Sequence, residues 1–226
     1  MRGSGVSETD SFIEEVSEEV RRDRLYGYLR RYGWIAVLAV LLIVGGAAFN
    51  EWRKAQARAT AEATGDAILA ALEAEAPEAR RAALAEIDPE APGARAVVTL
   101  LSAAEAAQSG EAAAAADQLD GLAADGDVEQ VYRDLAAFKA LLYRAETADP
   151  ATRRLGFEAL AQPGNPLRVL AEEQMALLDV ADGDTAGAID RLERIRADAE
   201  ATPGLRRRAA QLIVALGGVP APLADG

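Results

Sequence analysis

Seventeen consecutive residues from Gly33 to Phe49, GWIAVLAVLLIVGGAAF, carry no charge, and this run constrains the chain more than any other feature. Wound as a helix at about 1.5 Å per residue, the stretch from Trp34 to Trp52 spans about 27 Å, close to a hydrocarbon core of roughly 30 Å. The run predicts one membrane crossing. Tyr28, Tyr32 and Trp34 stand at one end and Trp52 at the other, where amphipathic rings settle at headgroup depth. Arg21, Arg22, Arg24, Arg30 and Arg31 precede the run, while Arg53, Lys54 and Arg58 follow it. That bias predicts a cytoplasmic N-terminus, since acidic residues contribute little to the rule. The expected membrane-interface residues are thus Tyr28, Tyr32, Trp34, Arg30 and Arg31 on one side and Trp52, Arg53 and Lys54 on the other. A cleaved signal peptide would start with a short basic segment, and the 32-residue polar lead is too long for one. A buried core helix would leave the flanking arginines and aromatic rings without purpose.

Composition narrows the chemistry. The chain has no cysteine and no histidine, which removes thiolate metal sites, cysteine nucleophiles and the commonest general base and zinc ligand. A formal charge of −13 argues against nucleic acid, whose phosphates need clustered cations. Residues 1–32 are nearly balanced, with 6 basic and 7 acidic side chains, so the excess lies downstream. Phosphate-loop, dinucleotide, zincin and nucleophile-elbow patterns do not occur. Asp182, Gly183 and Asp184 imitate the start of a calcium loop but lack a glutamate at the twelfth position, so a helix cap is expected there. Glu172 and Glu173 are expected on a solvated helix face. No enzymatic activity, cofactor, metal or small-molecule substrate is expected.

The organisation along the chain reads as entirely helical. Residues 1–32 form a cytoplasmic N-terminal segment with an amphipathic helix capped near Asp10 or Ser11, its stripe made by Phe12, Ile13, Val16 and Val20. The transmembrane helix covers 33–50. No proline occurs before Pro77, and residues 51–76 are rich in strong helix formers, which predicts a helical stalk. Beyond it, prolines at 77, 89, 92, 150, 163, 166 and 203 punctuate alanine- and leucine-rich segments with helical periodicity. Helices are expected at 78–87, 92–108, 111–124, 127–147, 150–161, 166–181, 184–199 and 203–216, within a domain spanning 77–217. The tail 218–226 is expected to be disordered.

Self-similarity refines this. Aligning Gly110 with Gly183 sets Ala103 on Ala176, Ala107 on Val180, Ala115 on Ala188, Ala116 on Ile189 and Leu119 on Leu192. The offset of 73 residues is about two units of 36 or 37, near the tetratricopeptide (TPR) period of two helices per repeat. The tryptophan and tyrosine of that repeat are missing from most units, and alanine enrichment alone would also produce such an alignment. If the repeats hold, the fold class is all-α: a single N-terminal transmembrane helix followed by a TPR-like α-solenoid of antiparallel helix pairs, with the last helix as a cap. Such stacks bind protein segments. Tyr132, Tyr143 and Arg144 are the candidate protein-binding residues, with Phe138 expected in the core and Arg206, Arg207 and Arg208 expected to solvate the last helix.

The acidic lead, the stretch RRDRLYGYLRRYGW, one anchor, then EWRKAQARATAEATGDAILAALE and ragged helical repeats resemble the YfgM-like ancillary subunits of the SecYEG translocon. The resemblance implies a bacterial inner-membrane protein with a periplasmic repeat domain. Its implied partners are the Sec translocon, a membrane-anchored periplasmic chaperone and exported clients, besides the lipid bilayer. The alternative expectation is an accessory subunit that stabilises another inner-membrane complex, a respiratory one for example, through its anchor and cytoplasmic helix.

Overall fold

A computed structural model describes the backbone of residues 7–222 and the side chains of residues 30–222 other than Ala36. It divides into two compact units, one ending at Ala61 and one beginning at Glu62. The described residues are helical and contain no strand. The first helix, α1, runs from Ser7 to Leu72 without interruption, so the expected start near Asp10 falls within it. Helix formers and the absence of proline let it continue past the apolar run, and it ends four residues short of the expected stalk boundary.

The apolar window of α1 is long enough to cross a membrane, and none of it is buried. Leu38, Leu41, Leu42, Ile43 and Val44 are all exposed.

The second unit carries eight further helices among the described residues: α2 (Pro77–Ala85), α3 (Pro92–Gln108), α4 (Ala112–Ala124), α5 (Gln130–Tyr143), α6 (Pro150–Leu160), α7 (Arg168–Ala181), α8 (Thr185–Ala197) and α9 (Pro203–Ala215). Pro77, Pro92, Pro150 and Pro203 each open a helix, where the missing N–H costs nothing. Each helix packs against the next in sequence, and α3 also packs on α5. Contacts are therefore local along the chain.

Side-chain burial repeats with an offset of 73 residues. One core joins Ala96, Ala103, Leu119, Leu122, Val128, Ala136 and Ala140 of α3 to α5, and another joins Val169, Ala176, Leu192, Ile195, Ala201, Ala209 and Ile213 of α7 to α9. These are the same positions taken in order. The offset also sets Leu84 on Phe157, both fully buried, and Pro77 on Pro150. A third core, with Phe138, Phe157, Ala171, Met175 and Leu178, lies between them.

Backbone and polar details repeat in the same register, which alanine content does not explain. Gly110 and Gly183 have φ of 85° and 82°, a conformation only glycine adopts without strain. The following N–H groups reach back to Ala106 and Asp179 at 2.9 Å, closing α3 and α7 with the same cap. Asp125 and Asp198 each accept from the backbone N–H two residues on, and Arg95 and Arg168 pair with them at 3.6 and 2.7 Å. Asp184 caps α8, as the sequence suggests, accepting from the Gly187 N–H at 2.9 Å. The tail is described through Pro222: the Ala221 N–H donates to Glu193, and its carbonyl accepts from Arg196. Residues 223–226 lie outside the description.

Candidate interaction surface

The expected membrane-interface residues whose side chains are described all lie on α1. Tyr32, Trp34 and Trp52 are half-exposed or more, and Arg30, Arg31, Arg53 and Lys54 are exposed. The Arg31 guanidinium lies 6.0 Å from the Tyr32 ring centroid, and Phe49 and Trp52 stack tilted at 5.9 Å. The side chain of Tyr28 lies outside the described residues, as does the amphipathic stripe of the N-terminal segment.

The candidate protein-binding trio is partly exposed, and each member also contacts the helices around it. The Arg144 guanidinium donates to Asp117 and Asp120 on α4 at 2.6 and 2.5 Å, and these hydrogen bonds raise its pKa above the ordinary arginine value against the cost of burial. Tyr143 packs on the α3–α5 core, with the Lys139 ammonium 5.3 Å from its ring. Tyr132 lies on the same core, its ring beside Gly93. The three residues share one neighbourhood, where their contacts join α3, α4 and α5. Phe138 is core, as expected, meeting Phe157 edge to face at 5.6 Å.

The carboxylates expected in solvent are also engaged. Glu173 is 6% exposed and takes a two-pronged contact from Arg208 at 2.9 and 2.8 Å, while Glu172 pairs with Arg191 at 2.6 Å. Burial drives this difference: an unpaired carboxylate at the Glu173 position would lose its hydration without compensation. Asp179 is the centre of a wider network, accepting from Arg154 of α6 at 2.7 Å and Arg191 of α8 at 2.9 Å. Burial pushes its carboxyl up, and the two arginines outweigh that and hold it below the usual aspartate range. Asp198 is lowered likewise by Arg168 and by the Glu200 N–H.

An open groove of about 490 Å³ lies between α7 and α9, lined by Glu173, Gln174, Leu177, Arg208, Gln211, Leu212 and Ala215. The Glu173–Arg208 pair spans it, Leu177 is 41% exposed in it, and Val214 beside it is 60% exposed. At the positions 73 residues earlier, Glu173 and Arg208 correspond to Leu100 and Leu135, on the pair of helices that pack directly. Sequence inspection passed over this surface although the offset carries the signal, a leucine pair in one half against a charged pair in the other. The last helix departs from expectation in part: Arg206 donates to the Asp198 carbonyl and Arg208, although exposed, is committed to Glu173, while Arg207 is exposed and among the described residues no ion pair engages it. Among the described residues no group of carboxylates is placed to hold a metal ion. No protein-family model, curated protein or solved structure matches the chain.

Proposed function

We propose that the chain is a single-pass protein of a bacterial inner membrane, N-terminus inside, whose helical unit is a TPR-like solenoid that binds protein segments on the translocated side. The observation that carries this reading is the 73-residue register in which helices bury the same positions, cap the same turns and repeat the same ion pairs. A stack of that kind has only nearest-neighbour contacts, and the grooves between alternate helices are its binding surface. The unburied apolar window of α1 supports the anchor, and the flanking basic and aromatic residues support its orientation. The resemblance over residues 10–75 points the binding toward the Sec translocon, a membrane-anchored chaperone and exported clients. Anchoring confines the repeats to the membrane surface, so weak contacts suffice there.

The test is crosslinking in membranes of the tagged full chain against a chain lacking residues 78–226, followed by mass spectrometry. Translocon and chaperone subunits recovered by the full chain alone support the reading. Recovery of one non-translocon complex by both versions overturns it in favour of an accessory subunit that binds through its anchor and cytoplasmic helix.

A further inference from the structure

The internal offset shows what the outer face of α9 lacks. On α5, Asp134, Phe138 and Leu141 face the second half of the unit: Asp134 accepts from the Asn165 side chain at 3.0 Å, and Phe138 packs on Phe157. Leu141 lies so close to α6 that a Cβ at Gly156 would sit 2.7 Å from both its methyl carbons. The same positions on α9 are Arg207, Gln211 and Val214. Spaced four and three residues apart, they form one stripe of the helix. All three are exposed, and the segment after α9 turns to Glu193 and Arg196 of α8 instead of covering them.

Two changes within this stripe identify its occupant. Where α5 presents a carboxylate to the element that covers it, α9 presents a guanidinium, and among the described residues no ion pair engages Arg207. Arg206, Arg207 and Arg208 also crowd the first turns of α9, the end of a helix that disfavours cations. That placement stands out on a chain of charge −13. The apolar part of the stripe is smaller than on α5, and it adjoins the groove in which Leu177 is exposed. The site therefore asks for a carboxylate together with an apolar side chain long enough to enter the groove.

Resting on the reading of the helical unit as a protein-binding stack, we propose that α9 and the α7–α9 groove dock an acidic amphipathic helix of another protein, laid across Arg207 and Val214 as α6 is laid across α5. A carboxylate of that helix pairs with Arg207, and a leucine or phenylalanine on the adjoining stripe fills the groove beside Leu177. This is helix-in-groove recognition, with the charge contact fixing direction and the apolar anchor supplying most of the affinity.

The test uses the full chain in phosphatidylcholine nanodiscs and a fluorescein-labelled amphipathic peptide with a leucine and phenylalanine stripe flanked by glutamates, read by anisotropy. A second peptide replaces the glutamates with lysines. The glutamate peptide is expected to bind and to weaken with added salt. Arg207→Glu is expected to lower its affinity about tenfold and to favour the lysine peptide, since the charge at this rim changes sign. Leu177→Arg is expected to abolish binding of both, while Arg194→Glu, the same charge change at an exposed position on α8, leaves it unaltered. Leu177 and Arg207 are exposed, so neither variant threatens the fold, and unchanged helicity checks this. Equal binding of the two peptides, no binding of either, or indifference to Arg207→Glu overturns the proposal. So does self-association of the chain that Val214→Glu abolishes, which assigns the face to a second copy. Capture of translocon subunits that survives Leu177→Arg overturns this docking face while leaving the broader reading standing.

Discussion

Leu119 and Leu192 occupy the same position 73 residues apart, both essentially inaccessible, with exposures of 0% and 1%. Truncation to alanine removes three carbons from each, about 2.4 kcal/mol of transfer free energy at about 0.8 kcal/mol per carbon. The residual cavity adds a second contribution, and here the two sites differ. The core that holds Leu119 is mostly alanine, with Ala96, Ala103, Ala106, Ala115, Ala116, Ala136 and Ala140, which have no side chain to swing into the hole. An unrelaxed volume of about 50 Å³ at about 24 cal/mol per Å³ adds roughly 1.2 kcal/mol, for a total of about 3.5 kcal/mol. The core that holds Leu192 is richer in larger side chains, among them Val169, Ile195, Leu205 and Ile213, which adapt, so its cost is expected nearer 2.5 kcal/mol. Trp34 and Trp52 both lie on α1, so tryptophan fluorescence does not report on this unit, and the assay is hydrogen exchange with peptide-level resolution on the full chain in nanodiscs. Protection of α3–α5 is expected to fall several-hundred-fold in Leu119→Ala, and that of α7–α9 by somewhat less in Leu192→Ala. Leu155→Ala, at 67% exposure, serves as the control and is expected to change stability by less than about 0.5 kcal/mol. A Leu192→Ala protein within that same margin, or a larger loss there than at Leu119, would refute the equivalence of the two cores.

Asp179→Ala takes one carboxylate partner from both Arg154 and Arg191, and because they keep Asp182 and Glu172 and some access to water the expected loss is about 2 kcal/mol, less than for a fully buried pair; Asp117→Ala, whose carboxylate is mostly exposed, is expected to cost under about 1 kcal/mol, and chemical denaturation compares the two. Asp179 and Asp198 bind protons less readily when folded than at their usual 3.8, so their contribution is complete above that value and is lost as pH falls through it toward the lowered folded values; the helical signal of the α6–α9 region is expected to hold at pH 5 and weaken below about pH 4, as circular dichroism with hydrogen exchange would record. Gly183→Ala forces a side chain into a φ of 82° and is expected to cost about 1 kcal/mol or more, whereas Gly121→Ala, within α4 and facing open space, is expected to stabilise by roughly 0.5 kcal/mol; thermal melts separate the two signs.

Helix positions were legible because proline and glycine mark them by local geometry. Pro92, Pro150 and Pro203 start helices at the expected residues and Pro77 starts one a residue early, and Gly110 and Gly183 end them. The expected helix over 127–147 is shorter, Gln130–Tyr143, because the Asp125 side chain draws the Asp127 N–H into a turn and Val128 leaves the helical path to enter the core. The offset of 73 was visible in alanines and leucines, but its weight came from the paired Arg95–Asp125 and Arg168–Asp198 contacts, which join residues some 30 positions apart. Arg144 illustrates what sequence does not disclose: it looked free beside Tyr143, yet the packing of α5 on α4 brings Asp117 and Asp120 within reach. A charged residue can be judged available only once its neighbours across helices are known.

The alanine that obscured the repeats also explains how the charges are used. Small faces such as Ala96, Ala103, Ala106, Ala115 and Ala136 permit close helix approach but bury little area and offer few distinctive shapes, so one sliding register resembles another. Arginine–carboxylate pairs across consecutive helices, Arg80 with Glu105, Arg144 with Asp117 and Asp120, and Arg154 with Asp179, have one geometry that satisfies them. Their net contribution to stability is modest, and their effect falls on which register is chosen. The second half of the unit then differs from the first in one consequential way: Leu100 and Leu135 give place to Glu173 and Arg208, and the direct packing of α3 on α5 gives place to a groove. Arg207 is exposed on α9, one position before the groove-lining Arg208, and among the described residues no ion pair engages it, so this face of α9 offers a partner a charge that the packing of the unit does not use.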